Sequence, residues 1–513
     1  MRKISCAIAL LFSLFFCYHC RQSSESREHT LLITSDFNSV RRCSTMEELH
    51  RVAKIMISAR PDILAMDVAS PDLVNYKSEI GFLVPGSNFD VLMNRGYDPY
   101  GIMVDTLRNN GITVMANVRM NDHHGRLIYW TEWEREHVHW SLAEDTGARD
   151  WKSIGALRHM DYAIEGVREY RLSILREITE RFNVDGLQLD FGRTAPFVSE
   201  PKMEKGALMT SYIRDVRHLL DETAGERGSS KMLLGVIVPW DFDFCFAEGL
   251  EITKWVEEGL VDYISPGEWY YTDWNISLKK WRDVSSGTEC KLYPFTPGNV
   301  SPYQVFEYGE KSLLGDNHVL DAPMIRAIAD NFMFQEPDGF AFYNFYTFDF
   351  GQYYPELRTW TNLDCTKLMS KHYFNGRRLM YHANERETFD IGIAFKRHVL
   401  EHRGDSIDIP FRFSSDMSNS TATLRCVFKN AGEGDDLMVR MNDALLSAER
   451  QWKEVVLPDS GSAFDAIFWE TQITMPPLRS GENRIEMTLS ERSGKAVKPV
   501  EVGEFEIRVE PLN

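Results

Sequence analysis

Positive charge is what this chain is short of: 57 Lys and Arg stand against 76 Asp and Glu, a formal net charge of −19. Nucleic acids and anionic membrane surfaces reward a basic footprint, so neither is expected as a partner, and a neutral substrate fits better. Cysteine is scarce too. With the leader described below set aside, Cys43, Cys245, Cys290, Cys365 and Cys426 remain, scattered and odd in number. No C-x-x-C pair or zinc spacing survives among them, so isolated buried thiols are expected, with at most one or two bridges. The one His-x-His pair, His137 and His139, falls in a long loop rich in Trp and Glu with no cysteine beside it, so no metal and no other cofactor is expected. Low-complexity linkers and internal repeats are also missing, beyond the rhythm of strand and helix.

What is present bounds the architecture. A chain of 513 residues, 43% hydrophobic and 12% aromatic, can bury a large barrel and a second domain. Residues 1–20 read as an export signal: Arg2 and Lys3 precede Ile4 to Tyr18, almost wholly apolar but short for a bilayer span,. Cys17 follows Leu14, Phe15 and Phe16 as in a bacterial lipoprotein box, although Phe16 stands where a small residue is usual; Cys20 is a second candidate. The expected location is therefore periplasmic, anchored to the outer membrane or extracellular, with membrane contact only through such an anchor. The sequence sets no oligomeric state.

Eight segments read as strands: 29–36, 61–68, 112–122, 184–193, 231–240, 261–269, 290–299 and 337–346,. Helical spacing lies between them, around 46–59, 99–110, 161–182, 203–222, 248–259 and 321–335. In the fourth unit Val167, Tyr170, Ile174, Ile178 and Phe182 recur at helical spacing and feed the strand VDGLQLDFGR. Eight such units predict a (β/α)8 barrel over residues 29–380, whose active site would form at the C-terminal ends of the strands. After about Tyr381 the period changes to two: Phe389 to Phe395, Ile407 to Phe413, Leu424 to Phe428, Ile485 to Leu489 and Phe505 to Val509 alternate. This predicts a C-terminal antiparallel β-sandwich over 385–513, either bracing the barrel or binding sugar.

The strand ends are acidic. Asp36, Asp67, Asp122 and Asp190 end the first four strands, Asp241 and Asp243 follow the fifth, and Glu268 ends the sixth. One such acid usually caps the next helix; a ring of them converging on a barrel mouth is what glycoside hydrolysis uses. Asp190 is the strongest candidate, carried on a strand otherwise committed to the core and followed by Phe191, Gly192 and Arg193, whereas Asp185 at the other end reads as a turn residue. The exit of the third strand, NVRMNDHHGR, offers Arg119, Asn121, Asp122 and His123 to sugar hydroxyls,. Tyr343 and Asn344, ending the eighth strand, are assigned to the same surface. Seven of the twelve tryptophans, among them Trp240 and Trp269, also fall on the mouth side, where flat apolar faces suit pyranose rings.

The run EGVREYRLSILREITERFNVDGLQLDFGR, preceded by DPYGIMVDTLRNNGITVMANVRMND, resembles the glycosyl-hydrolase-like family 10 barrels of exported, often lipid-anchored bacterial proteins. The matching positions are Val167, Arg168, Val184, Asp185, Gly186, Asp190 and Arg193, while Asp161 and Tyr162 stand where many relatives carry a DPG-like segment. The resemblance covers about residues 29–350 and implies a glycosidase acting on a poly- or oligosaccharide. Two alternatives stand beside it: a non-catalytic glycan-binding surface protein and, behind that, a metal-dependent hydrolase. LQLDFGR and LYPFTPGN contain no Glu, which excludes the retaining pattern of Asn-Glu after strand four and Glu after strand seven. The assignment is then Asp190 at the anomeric centre, Glu268 as acid and base with Asp241 or Asp243 as substitute acid, and Arg193 holding Asp190 ionised.

Overall fold

The computed structural model describes residues 29–374 and 399–512, apart from 122–123, 194, 200–201, 230, 270–271, 273, 301–317, 346–350, 414–419, 457–462, 475 and 494–497. Leader positions Cys17 and Cys20, the strand proposed around Phe389 to Phe395, and Asp122 and His123 lie outside the described residues.

Each predicted strand forms. β1 (Thr30–Ser35), β2 (Ile63–Ala69), β3 (Thr113–Arg119), β4 (Gly186–Asp190), β5 (Leu233–Pro239), β6 (Tyr263–Gly267), β7 (Phe295–Pro297) and β8 (Gly339–Tyr343) run parallel, each paired with its neighbours, and β8 returns to β1. The sheet is thus a closed barrel. Closure buries both faces, so β2 and β4 are buried at every residue, as a parallel sheet wrapped in helices requires.

The helices between strands are α1 (Met46–Ser58), α2 (Pro99–Arg108), α3 (Glu165–Arg181), α4 (Lys202–Arg227), α5 (Ile252–Glu257), α6 (Lys279–Ser285) and α7 (Ala322–Met333). α1 starts where Thr45 and Glu48 cap each other reciprocally, and α2 starts on Asp98 with Pro99 as its first residue,. α3 lays Val167, Ile174 and Ile178 against the barrel at 0–1% exposure, each contributing about 1.5–3 kcal/mol by burial. The spacing expected one helix over 248–259. Only α5 forms within that range, and a separate short helix that the spacing did not predict, Phe242–Ala247, precedes it; the two are parted at Gly249, which has φ +84° and lies so close to α4 that a Cβ would sit 2.7 Å from Lys205 Cβ,.

Beyond the barrel the strands are antiparallel. One sheet has the order β9 (Lys371–Phe374), β18 (Val500–Pro511), β12 (Ser420–Lys429), β16 (Ala463–Ile473), β15 (Glu449–Val456), with β10 (Val399–Leu400) also on β18. The other is β11 (Ser406–Phe413), β17 (Gly481–Glu491), β13 (Asp436–Met441), β14 (Ala444–Leu445). Along β11, Ile409, Phe411 and Phe413 are buried while Asp408 and Pro410 are exposed, the alternation of a sandwich strand. β9 belongs to this sheet although it lies inside the range assigned to the barrel from sequence. It meets α7, where Asp330 receives Lys371 Nζ at 2.9 Å and Tyr373 OH at 2.5 Å with no exposure on either charged group. The ring of Trp274, on the loop after β6, packs edge-on against Tyr373. Cys43, Cys245, Cys290, Cys365 and Cys426 are free thiols. Among the described residues no helix is long and apolar enough to cross a membrane.

Candidate active site

Side chains alternate along a strand, so every second residue of each barrel strand points inward. Low in the barrel that row is apolar, with Leu32, Ile63, Ala65, Met115, Phe295 and Ala341 in one cluster. Above it a polar chain crosses the interior. Tyr263 OH donates to Gln188 Oε1 at 2.8 Å, Gln188 Nε2 donates to Asn117 Oδ1 at 2.8 Å and to Thr34 Oγ1 at 2.9 Å, and Asn117 Nδ2 donates to Asp67 Oδ1. None of these residues is more than 4% exposed, so each polar group buried here is answered by another.

At the mouth the chain ends in charges. Arg119 Nη2 lies 2.6 Å from Asp67 Oδ2 and 3.1 Å from Asp36 Oδ2, and donates to Asn344 Oδ1 at 3.3 Å. Asp190, in register with Arg119, has no exposure. Its Oδ2 accepts from Tyr343 OH at 2.5 Å and its Oδ1 from Gly192 N at 2.9 Å. A Cβ at position 192 would lie 2.9 Å from Ile237 Cγ2 and 3.2 Å from Asp190 Oδ1, which is why the chain turns there on glycine.

Burial pushes the Asp67 carboxyl up to about 7; the Arg119 cation pulls it down, while Asp36 and Asp190 add to the rise. Asp190 is also raised, by burial above all, against the Tyr343 hydrogen bond and the attraction of Arg119 and Arg193. Burial and the Asp190 charge hold the Tyr343 phenol well above its ordinary range. Arg193 attracts the Asp190 charge, as expected, but desolvation outweighs that attraction and the net shift is upward,.

The mouth opens into a cleft of about 250 Å³ lined by Asp36, Asp67, Arg119, Arg41, His124 and Arg126, among others. Asp190 is not among the residues lining it. Trp269 continues the inward row of β6 and packs on the interior cluster, with the Arg193 guanidinium 4.5 Å from its ring centroid. Glu268 has the opposite parity and is 4% exposed. Asp241 accepts from Phe244 N at 2.9 Å and caps the short helix after β5; Asp243 pairs with Lys280 at 2.6 Å on the surface. Buried Asn121 donates to the Pro196 carbonyl at 3.3 Å. Trp240 packs on the main core, and its carbonyl accepts from Trp281. Asp185 pairs with Arg108 at 2.9 Å and accepts from Val114 N, the structural role its position suggested. The structure therefore joins Asp36, Asp67, Arg119, Asp190, Tyr343 and Asn344. It adds Asn117, Gln188 and Tyr263, which the sequence reading missed although each is a polar residue at an inward position of a core strand.

A second charged cluster lies beside the mouth, under the long excursion between β3 and α3. Arg158 Nε is 3.0 Å from Glu134 Oε2, and the two side chains are wholly buried. Arg171 lies 3.6 Å from Asp72 and 3.9 Å from Glu134, and Thr131 Oγ1 donates to Asp72 Oδ2 at 2.7 Å. Arg158 also donates to the carbonyls of His124 and Ser70 at 3.0 and 3.1 Å, and both of those residues line the cleft. The aromatics of this excursion are largely packing elements: Trp133 stacks on Tyr170 at 3.8 Å, Trp140 lies edge-on to Trp133, and Trp130 is buried with Ile154 and Leu157. His137 stacks on Trp133 at 4.6 Å. No group of three His, Cys, Asp or Glu side chains among the described residues is arranged to hold a metal ion.

Comparison with protein-family models and with curated proteins returns no match. Solved structures similar to this chain include a family 18 chitinase from Cycas revoluta in complex with allosamidin, at 10% identity and a TM-score of 0.39, covering 64% of this chain and 98% of that one. A chitinase from Trichuris suis is 11% identical with a TM-score of 0.37 over the same shares, 64% and 98%. A Group IV chitinase from Ostrinia furnacalis is 10% identical with a TM-score of 0.32, covering 52% of this chain and 66% of that one. Likeness this faint carries nothing about the chemistry of the present mouth.

Proposed function

We propose that this chain is an exported glycoside hydrolase of the glycosyl-hydrolase-like family 10 type, acting on a poly- or oligosaccharide at the C-terminal mouth of its barrel. The observation that carries the reading is Asp67: a carboxyl raised to about 7, on the wall of an open cleft, within the field of two further carboxylates. A carboxyl still protonated near neutrality is what departure of a sugar needs. The glycosidic C–O bond breaks as Asp67 passes its proton to the leaving oxygen. Positive charge growing at the anomeric carbon is met by the negative field of Asp190 and Asp36. Water then adds to that carbon and returns a proton to Asp67. In this assignment Asp67 takes the role that sequence reading gave to Glu268, with Asp241 or Asp243 as its substitute, and Glu268 stands as the second candidate donor.

The test is to incubate the protein with diverse glycans and separate the products. Asp67→Asn and Asp190→Asn should each lower turnover about 10²–10⁴-fold; full activity in both variants would remove the assignment. A second reading, a glycan-binding surface protein, is favoured by one observation: Asp190 is sealed, with no exposure. Binding without product across the same panel would establish it.

A further inference from the structure

Two arginines on the cleft wall have no acidic partner among the described residues. Arg119 is answered twice over, by Asp67 and Asp36. Arg41 is not: its Nε donates to Ser87 Oγ at 3.0 Å and its Nη1 to Asn38 Oδ1 at 3.4 Å, both neutral acceptors, leaving Nη2 with no hydrogen-bond partner among the described residues. Arg126 is exposed, and its described contact is with the Tyr129 ring, 5.9 Å from the centroid. Both arginines line the same cleft as Asp67. In a chain with 76 acidic residues against 57 basic ones, carboxylates to neutralise them are plentiful, and most buried arginines here have taken one. Arg41 is moreover fixed in place by two hydrogen bonds that orient its guanidinium without discharging it. A planar, oriented guanidinium with free donors matches a carboxylate or sulfate better than a hydroxyl.

From this we infer that the cleft selects a glycan carrying an anionic group, a carboxylate or a sulfate, held by Arg41 and Arg126 while the adjoining sugar lies over Asp67. This rests on the glycoside reading above and narrows its substrate class; it reverses the expectation of a neutral substrate drawn from net charge, which averages over a surface the ligand does not touch.

The experiment is calorimetric binding by the full chain to matched β-1,4 pairs that differ in the anionic group. Mannotetraose is set against tetramannuronate, cellotetraose against its C6-oxidised form, and each neutral member against a sulfated counterpart. Binding of anionic members at least tenfold tighter than their neutral partners is expected, with affinity falling as salt rises. R41Q with R126Q should erase the difference, and R41K with R126K should restore part of it. Thermal melts matched to the wild type establish that the variants fold. Equal affinity within the pairs, a preference that survives the glutamine substitutions, or no binding by any anionic member would each overturn the inference. Which anionic arm binds separates uronate from sulfate. Because binding is read apart from cleavage, tight selective binding without products would sink the hydrolase reading and leave this one standing, whereas cleavage of neutral and anionic members alike would do the reverse.

Discussion

The cluster of Asp36, Asp67, Arg119 and Asp190 and the cluster of Asp72, Glu134, Arg158 and Arg171 are made of the same groups at similar depth, yet only the first meets a cleft. In each, one carboxyl is pushed up to about 7 by burial, with an arginine pulling it down: Asp67 beside Arg119, Glu134 beside Arg158. A shifted carboxyl is thus no mark of chemistry by itself, since ion-pair networks shift them too. Access is what separates the two. Asp67 lies on the cleft wall, whereas Glu134 has no exposure, and its Oε2 accepts from both Arg158 Nε and the Thr131 amide. The sealed cluster holds the open one in shape, because Arg158 grips the His124 and Ser70 carbonyls that line the cleft.

The largest effect should come from breaking the sealed cluster. Glu134→Ala leaves Arg158 and Arg171 buried without their shared acid, and removing one partner of a buried pair typically costs about 3–5 kcal/mol. Urea unfolding would measure it. A loss below about 1 kcal/mol would mean that the arginines find other partners and that the cluster is not what braces the rim.

Next in size is a pH effect that tells the two carboxyls apart. Both are raised from an ordinary carboxylate value near 4, so the folded state holds each proton more tightly than the unfolded state does. The stability this contributes is fully present below about pH 4 and is lost as pH rises through about 7,. Asp67→Asn and Glu134→Gln should therefore each flatten the fall of stability across that window. Only Asp67 should also appear in the rate: turnover should drop about tenfold per pH unit above pH 7 as the donor loses its proton, and this limb should be missing in Asp67→Asn but kept in Glu134→Gln. A basic limb unchanged in Asp67→Asn would return the acid role to another carboxyl, Glu268 first.

How much of this was legible follows from the same contrast. The barrel was, because eight hydrophobic strands at regular intervals leave few ways to close a sheet, and all eight predicted strands appear, with ends shifted by a few residues. Asp36, Asp67, Asp190 and Arg119 were legible because a charged residue at the C-terminal end of a buried strand has little else to face. Which partner each of them meets was not. That Asp190 meets Tyr343 from β8 and that Asp67 meets Asn117 from β3 depends on strand register around a closed barrel, which no local pattern encodes. The sealed cluster was harder still, since its members come from a loop, two helices and the exit of β2. One sign was available: Arg171 sits at helical spacing between Val167 and Ile174, a charge on a face otherwise buried.

Asp241 gives the smallest effect and the sharpest check on reading acids by position. By sequence it belonged to the same ring as Asp67, an aspartate just past a barrel strand. In the structure its carboxylate accepts from Phe244 N and caps a six-residue helix, in a β-extended conformation suited to that role and away from the described cleft. Replacing such a cap by alanine costs about 1 kcal/mol. Asp241→Ala should therefore lower the urea midpoint modestly while leaving turnover per folded molecule, and its pH limbs, as in the wild type. If instead turnover fell by orders of magnitude while stability held, a capping carboxylate would be doing chemistry, and the line drawn here between acids that face a cleft and acids that hold the fold would not stand.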